Sequence, residues 1–423
     1  MLNKSKLFES VFLLSFGLSL IFPIFPTYTF GMMYHVLIIT FLPLVFISTS
    51  TSFNKLILTF VSIFFAFFFF VSLVSLLANE GLSISGLLSS SKLVYFYIYI
   101  LFGFVYSYSE SGNVTRFIRL YYAVLVFSLI VAFSEKVTPS INFFLYKREY
   151  QEIISDKLTS IFNTTYHYAF FLTFGFIFLC VNAFESIAKS ESISKLFLNF
   201  IKILLLFYII FLTNSRMFFM TVILFLSIYG LLFFLTRRFS IKSAQIVLIS
   251  LFAIVSLFIV NFDFIENRYP YVITGVQYIL SGGLDFSGGG SGSFNSRINQ
   301  IIHSVVSISE QPLLGAGSGK DIYLESIYAY TIFKYGISSV FVYFLSTLSL
   351  CLVCYNGARI SRSHDERVFF KSCLWFLLFS PFYFLSGPLF EVPKLSLFFF
   401  SLIGVILGAY SKLKLKLKLK LER

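Results

Sequence analysis

Apolar runs of about 20 residues recur from one end of this chain to the other, and each is long enough to cross a bilayer as a helix. "LTFVSIFFAFFFFVSLVSLL", residues 58–77, is a plain case. In lipid a spanning segment has no water to satisfy its backbone, so it must close its hydrogen bonds internally. The composition agrees: the chain is 58% hydrophobic, 21% aromatic and 12% charged, with a mean hydropathy of +0.88. Soluble domains carry about 25% charged residues. The expected fold is an all-α polytopic membrane protein, with residues 1–423 as a single integral membrane domain.

Hydropathy predicts about 12 spans, starting near residues 8, 33, 56, 92, 120, 168, 196, 217, 245, 328, 373 and 395. Met1–Lys6 is basic, but the next apolar run has no clear small-residue cleavage site, so it is expected to be the first span. With the N-terminus inside, one side collects Lys4, Lys6, Lys55, Arg116, Arg119, Lys189, Lys195, Lys202, Arg237, Arg238, Lys242, Arg359, Arg362, Arg367, Lys371 and the tail lysines. That asymmetry satisfies the positive-inside rule and puts both termini in the cytoplasm. The net charge of +13 therefore reports topology, and no nucleic-acid partner is expected. The tail at 411–423, "SKLKLKLKLKLER", either adsorbs on anionic lipid or only enforces orientation.

Cys180, Cys351, Cys354 and Cys373 all lie in or beside apolar runs. They are expected to be small core residues, and neither a disulfide framework nor a metal site is expected. The four histidines have no metal-ligand spacing.

Two predicted outer segments, residues 135–167 and 262–327, are too long to be simple turns and are expected to carry function. The second contains "SFNSRINQIIHSVVSISEQPLLGAGSGKDIYLES", Ser293–Ser326. Asn295 or Ser296 suits a helix N-cap. Ile298, Ile301, Ile302 and Val305 then form an apolar face opposite Asn299, His303, Ser307 and Glu310, with Arg297 on the boundary and Pro312 as terminator. The expectation is a short amphipathic helix lying on the membrane surface. Arg297 falls in its first turn, where the helix dipole disfavours a cation. Either an anion bridges it to free backbone N–H groups, or it snorkels or pairs with Asp285 or Glu310.

"LLGAGSGKD" is not a Walker A loop, because Leu314 and Asp321 stand where glycine and Ser or Thr are needed. It serves as a tight turn or as a phosphate nest. In "FLTNSRMFFMTV" a short outer connection leaves Arg216 at the bilayer boundary, where a charge must snorkel, pair or face water. Guanidinium also suits phosphate oxygens. Glu325, at the water–lipid edge, is either a general base or a carboxylate paired with Lys320 or Lys334. Lys157, Asn163 and Tyr166 are candidates for the same outer cavity, whereas His167 is expected at the interface.

"TNSRMFF", "NSRINQIIHSVVSISEQPLLGAGSG" and "ESIYAYTIFKYGIS", in this order on the outer face, resemble the O-antigen polymerase and ligase superfamily, and Wzy-type polymerases most. The resemblance implies a GT-C-like, metal-independent glycosyltransferase without a cofactor, in the bacterial inner membrane with its active site facing the periplasm. It implies undecaprenyl-diphosphate-linked glycans as substrates, membrane lipid as surroundings and a chain-length regulator as partner. Arg216 and Arg297 would neutralise the diphosphate, Glu325 would take the acceptor proton, and Lys157, Lys320 and Tyr166 would contact substrate. Superfamily ligases carry a histidine followed by a polar residue, nine residues and Gly-x-x-Gly. Here Glu325-Ser326, nine residues and Gly336 follow that pattern, with Ser339 last. Glutamate in place of the histidine favours polymerase over ligase. A lipid-linked oligosaccharide flippase is the rival of another class; it would place charges inside several helices and keep short outer loops.

Overall fold

The computed structural model describes residues 4–21, 84–109, 112–138, 158–162, 164–189, 193–236, 292–317, 324–387 and 392–421, with scattered positions between 66 and 77. The described residues are helical, with no strand among them. In chain order the helices are α1 (Lys4–Ile21), α2 (Ile84–Tyr108), α3 (Val114–Val137), α4 (Thr165–Ala188), α5 (Ile193–Leu212) and α6 (Arg216–Thr236). After an interval come α7 (Gly292–Ser307), α8 (Ile327–Tyr335), α9 (Ser338–Ile360), α10 (His364–Leu378), the single turn α11 (Ser380–Tyr383) and α12 (Pro393–Leu421).

Helices α3, α4, α5, α9 and α12 are each long and apolar enough to span a membrane. Helices α1, α2 and α6 contain shorter apolar stretches, Glu9–Ile21, Lys92–Tyr108 and Met217–Phe233. The spans expected near residues 33, 56 and 245 lie outside the described residues. The span expected near 328 is corrected: the helix there is α8, which stops at Tyr335, and the membrane-length helix is α9. Gly336, at φ 79°, separates them.

Burial separates inner from peripheral helices. Of their most apolar stretches, α4 buries 78% and α12 89%, against 22% for α5 and 17% for α9. Phe341, Leu345, Leu348 and Leu352 form an exposed stripe on α9. Their i, i+4, i+7, i+11 spacing puts them on one face, which suits contact with lipid. The core is aromatic: on α4, Phe170, Phe171 and Phe174 meet Phe376, Tyr383 and Phe398 from α10, α11 and α12. Edge-to-face and tilted ring pairs dominate there, as the aromatic quadrupole favours.

Polar contacts tie the helix ends into two clusters. At one, Arg116 Nη1 meets Glu9 Oε1 at 2.7 Å, Lys371 pairs with Glu185, and Lys412 donates to the carbonyls of Ser109 and Gly112. At the other, the Glu135 carboxylate accepts from Thr159 and Ser160, and Lys394 donates to the Ile161 carbonyl. Arg116, Lys371 and Lys412, three of the basic residues predicted for one side of the membrane, lie at the first end. Arg297 and Glu325 belong to the second.

Candidate active site

Helix α7 starts at Gly292, upstream of the expected cap at Asn295 or Ser296. Arg297 therefore sits in the second turn, and the first-turn argument for an anion on free N–H groups does not hold. The helix ends at Ser307, and Glu310 lies in the turn beyond it. A buried stripe runs beside the apolar face expected to lie on the membrane. Arg297, Ser304 and Ile308 are buried, with Ile301 partly so, a spacing of 4, 3 and 4 that keeps one face inward. Ile298, Ile302 and Val305 remain exposed and are free to meet lipid.

This stripe docks on α8. Ile308, Ala316, Leu324, Ala329, Ile332 and Phe333 make a small core separate from the main one. The glycine-rich turn after α7 completes it. The Ala316 N–H donates to the Phe333 carbonyl at 2.7 Å, and the Ile337 N–H donates to the Pro312 carbonyl at 2.9 Å. A Cβ on Gly336 would lie 2.3 Å from the Leu313 oxygen, and one on Gly315 would lie 2.6 Å from the Gly336 nitrogen. Both have positive φ, so no L side chain fits either position without strain. With these backbone groups engaged by protein, the described part of the loop acts as a turn that positions α8, rather than as a phosphate nest.

Docking α7 on α8 brings Arg297 and Glu325 together. Arg297 is 5% exposed, and its Nε lies 3.6 Å from Glu325 Oε2. At that distance the groups attract as charges, yet Nε closes no hydrogen bond. The Arg297 guanidinium carbon lies 5.9 Å from the centroid of the Tyr166 ring, within cation–π range. Tyr166 stands in the first turn of α4 and is exposed at 36%. Glu325 presents its carboxylate at 40% side-chain exposure, and its backbone N–H donates to Gln300 Oε1 at 2.9 Å. The resulting group is a buried cation, a half-exposed carboxylate and an accessible aromatic ring. That combination can hold an anionic group beside a proton acceptor.

The pairing alternatives are also decided in part. Lys334 is buried on α8 with its Nζ 4.5 Å from the Tyr330 ring centroid, and the described partner of Glu325 is Arg297. Arg216 opens α6, directly after the turn at Thr213–Ser215; its side chain lies outside the described residues. So do Lys157, Asn163, Lys320 and Asp285. The neighbour of Lys157, Leu158, donates its N–H to the Leu212 carbonyl, which brings the loop before α4 to the turn that precedes Arg216. Gln300 was missed from sequence. As an amide on a loop helix it has no signature of its own, and only its place one turn after Arg297 marks it. No group of metal-ligating side chains occurs among the described residues, and the four cysteines are buried and free.

Residues 201–349 match the family model described as O-antigen ligase. The matched segment contains Arg216, Arg297, Gln300, Glu325 and Gly336. No curated protein matches the chain.

Proposed function

We propose that this chain, which matches the O-antigen ligase family model over residues 201–349, is a Wzy-type polymerase that joins undecaprenyl-diphosphate-linked oligosaccharide repeat units into a surface polysaccharide at the periplasmic face of the inner membrane. The observation that carries this is the Arg297–Glu325 pair, 3.6 Å apart on the same small core. Glycosyl transfer from a diphosphate carrier needs both partners. A base takes the proton of the acceptor hydroxyl, its oxygen attacks the anomeric carbon, and the bond to the carrier phosphate breaks. The departing diphosphate gains charge as this happens, and a fixed guanidinium stabilises it.

Glu325 is assigned as the base, and Arg297 and Arg216 as the diphosphate ligands. Diphosphate bound at Arg297 competes with Glu325 for the guanidinium and leaves the carboxylate for the hydroxyl. Tyr166 offers a ring for a sugar face, and Lys157 and Lys320 would add positive charge at the rim. A ligase runs the same chemistry onto a different acceptor, and the description of the matched family keeps that reading alive. The glutamate at position 325, where ligases use histidine, favours polymerase.

The test is the length of surface polysaccharide on a denaturing gel, in a host deleted for its own polymerase. Wild type is expected to restore a ladder, with Arg216→Ala, Arg297→Ala and Glu325→Gln leaving single-unit product at equal expression. Full ladders from all three variants would sink the assigned site. Rescue of a ligase-deleted host instead would move the chain to the ligase branch.

A further inference from the structure

At the basic end of the molecule, away from Arg297, a cavity of about 480 Å³ opens between α3 and α5. Helix α4 forms its floor, and the first turn of α10 closes one side. The volume lies in the range of about 300–1,000 Å³ typical of small-molecule sites. Its walls are apolar, and two of the residues in them, Val126 at 53% and Leu205 at 37%, are exposed.

The mouth is cationic. Arg119 on α3 and Lys202 on α5 both line it, both are exposed, and neither is in an ion pair among the described residues. The acid at the mouth, Asp365, already accepts from the Thr115 hydroxyl at 3.0 Å. Asn182 is engaged by the His364 ring at 3.2 Å. From Arg119 to Leu129 the wall of α3 rises about 15 Å at the helical pitch, half of a hydrocarbon core about 30 Å thick. The groove is therefore about as long as one leaflet is deep, and in a bilayer its charged end would meet a headgroup and its apolar wall an acyl chain. A soluble anion would use only the mouth.

We propose that this groove binds one anionic glycerophospholipid. Its phosphate sits between Arg119 and Lys202, and an acyl chain lies against Val126, Leu129, Phe178 and Leu205. Basic pockets between membrane helices recognise lipid headgroups by this combination of charge and depth. The site is separate from the glycosyl-transfer site and does not depend on the reaction assigned there.

Native mass spectrometry of the purified full chain tests it, with phosphatidylglycerol and phosphatidylcholine as probes. Wild type is expected to retain one phosphatidylglycerol in preference to phosphatidylcholine. Arg119→Gln/Lys202→Gln should lower retention at least about tenfold, given the contribution of each cation near a lipid surface. Val126→Trp, which fills the groove from an exposed wall position, should do the same. Arg359→Gln/Arg362→Gln, exposed cations outside the groove, should retain the lipid as wild type does. Thermal unfolding checks that every variant is folded. Wild-type retention in the double variant or in Val126→Trp overturns the proposal, as does equal loss in the control pair. Displacement by millimolar inorganic phosphate would make this a free-anion site, and displacement by equimolar polyprenyl phosphate would make it a carrier site; either result overturns the assignment.

Discussion

Arg297 is a charge that the fold has largely removed from water, with a carboxylate beside it and an aromatic ring nearby. Removing one partner of such a pair leaves the other uncompensated, which costs more than the pair is worth. Glu325→Gln should therefore lower stability as well as abolish polymer. Because Glu325 is 40% exposed, solvent screens the pair, and the loss is expected at about 1–2 kcal/mol. The double variant Arg297→Gln/Glu325→Gln should unfold at a higher temperature than Glu325→Gln alone, since it buries no orphan charge. A lower unfolding temperature in the double variant would show that Arg297 is not left as an uncompensated charge when Glu325 is removed. Arg297→Lys keeps the charge and loses the planar fork that grips two phosphate oxygens. It should shorten the ladder while leaving the stability within about 1 kcal/mol of wild type. Both members of this pair stood out in the sequence as charges in awkward places. Their meeting did not, because it depends on the face by which α7 docks. Periodicity marked Ile298, Ile301, Ile302 and Val305 as a face for the membrane, but an apolar pattern could not show that a neighbouring stripe, Arg297, Ser304 and Ile308, packs on protein.

At the scale of the element, α8 is held by its ends. Ser326 precedes it, Gly336 terminates it, and the turn at Pro312–Gly317 presses on that terminus through Gly315. Gly336→Ala combines a left-handed backbone with a Cβ 2.3 Å from a carbonyl oxygen. A loss of about 2–3 kcal/mol is expected, read as a lower unfolding temperature and lower yield in the membrane. Gly315→Ala breaks the same contact from the other side, so the two losses should combine to less than their sum. Strict additivity would mean that the turn and the helix end do not act as one unit. Hydropathy saw a single span starting near 328 because apolar residues continue on both sides of Gly336. The glycine's role lies in a positive φ and a close backbone approach, neither of which leaves a mark in an apolar pattern. The helix at Gly292–Ser307 was legible; the boundary that sets Glu325 at the head of a short helix was not.

For the whole molecule, the arrangement of charge is the strongest argument about orientation. Glu9, Arg116, Glu185, Lys371 and Lys412 are joined at one end, and Arg297, Glu325 and Tyr166 meet at the other. The positive-inside rule then predicts that the first end faces the cytoplasm. The chain supplies its own control for testing this, because its four cysteines are all buried and should not react with an aqueous thiol reagent in the folded protein. His303→Cys, on the exposed side of α7, and Arg362→Cys, between α9 and α10, each add one accessible thiol. A membrane-impermeant maleimide applied to intact spheroplasts should label His303→Cys and leave both wild type and Arg362→Cys unlabelled until the cells are opened. The reverse pattern would put Arg297 and Glu325 in the cytoplasm, where the proposed periplasmic acceptor is not found. Polymerisation would then be excluded whatever the gel of the site variants showed. Labelling of His303→Cys alone leaves the pair facing the compartment where a lipid diphosphate and its sugar partner would meet.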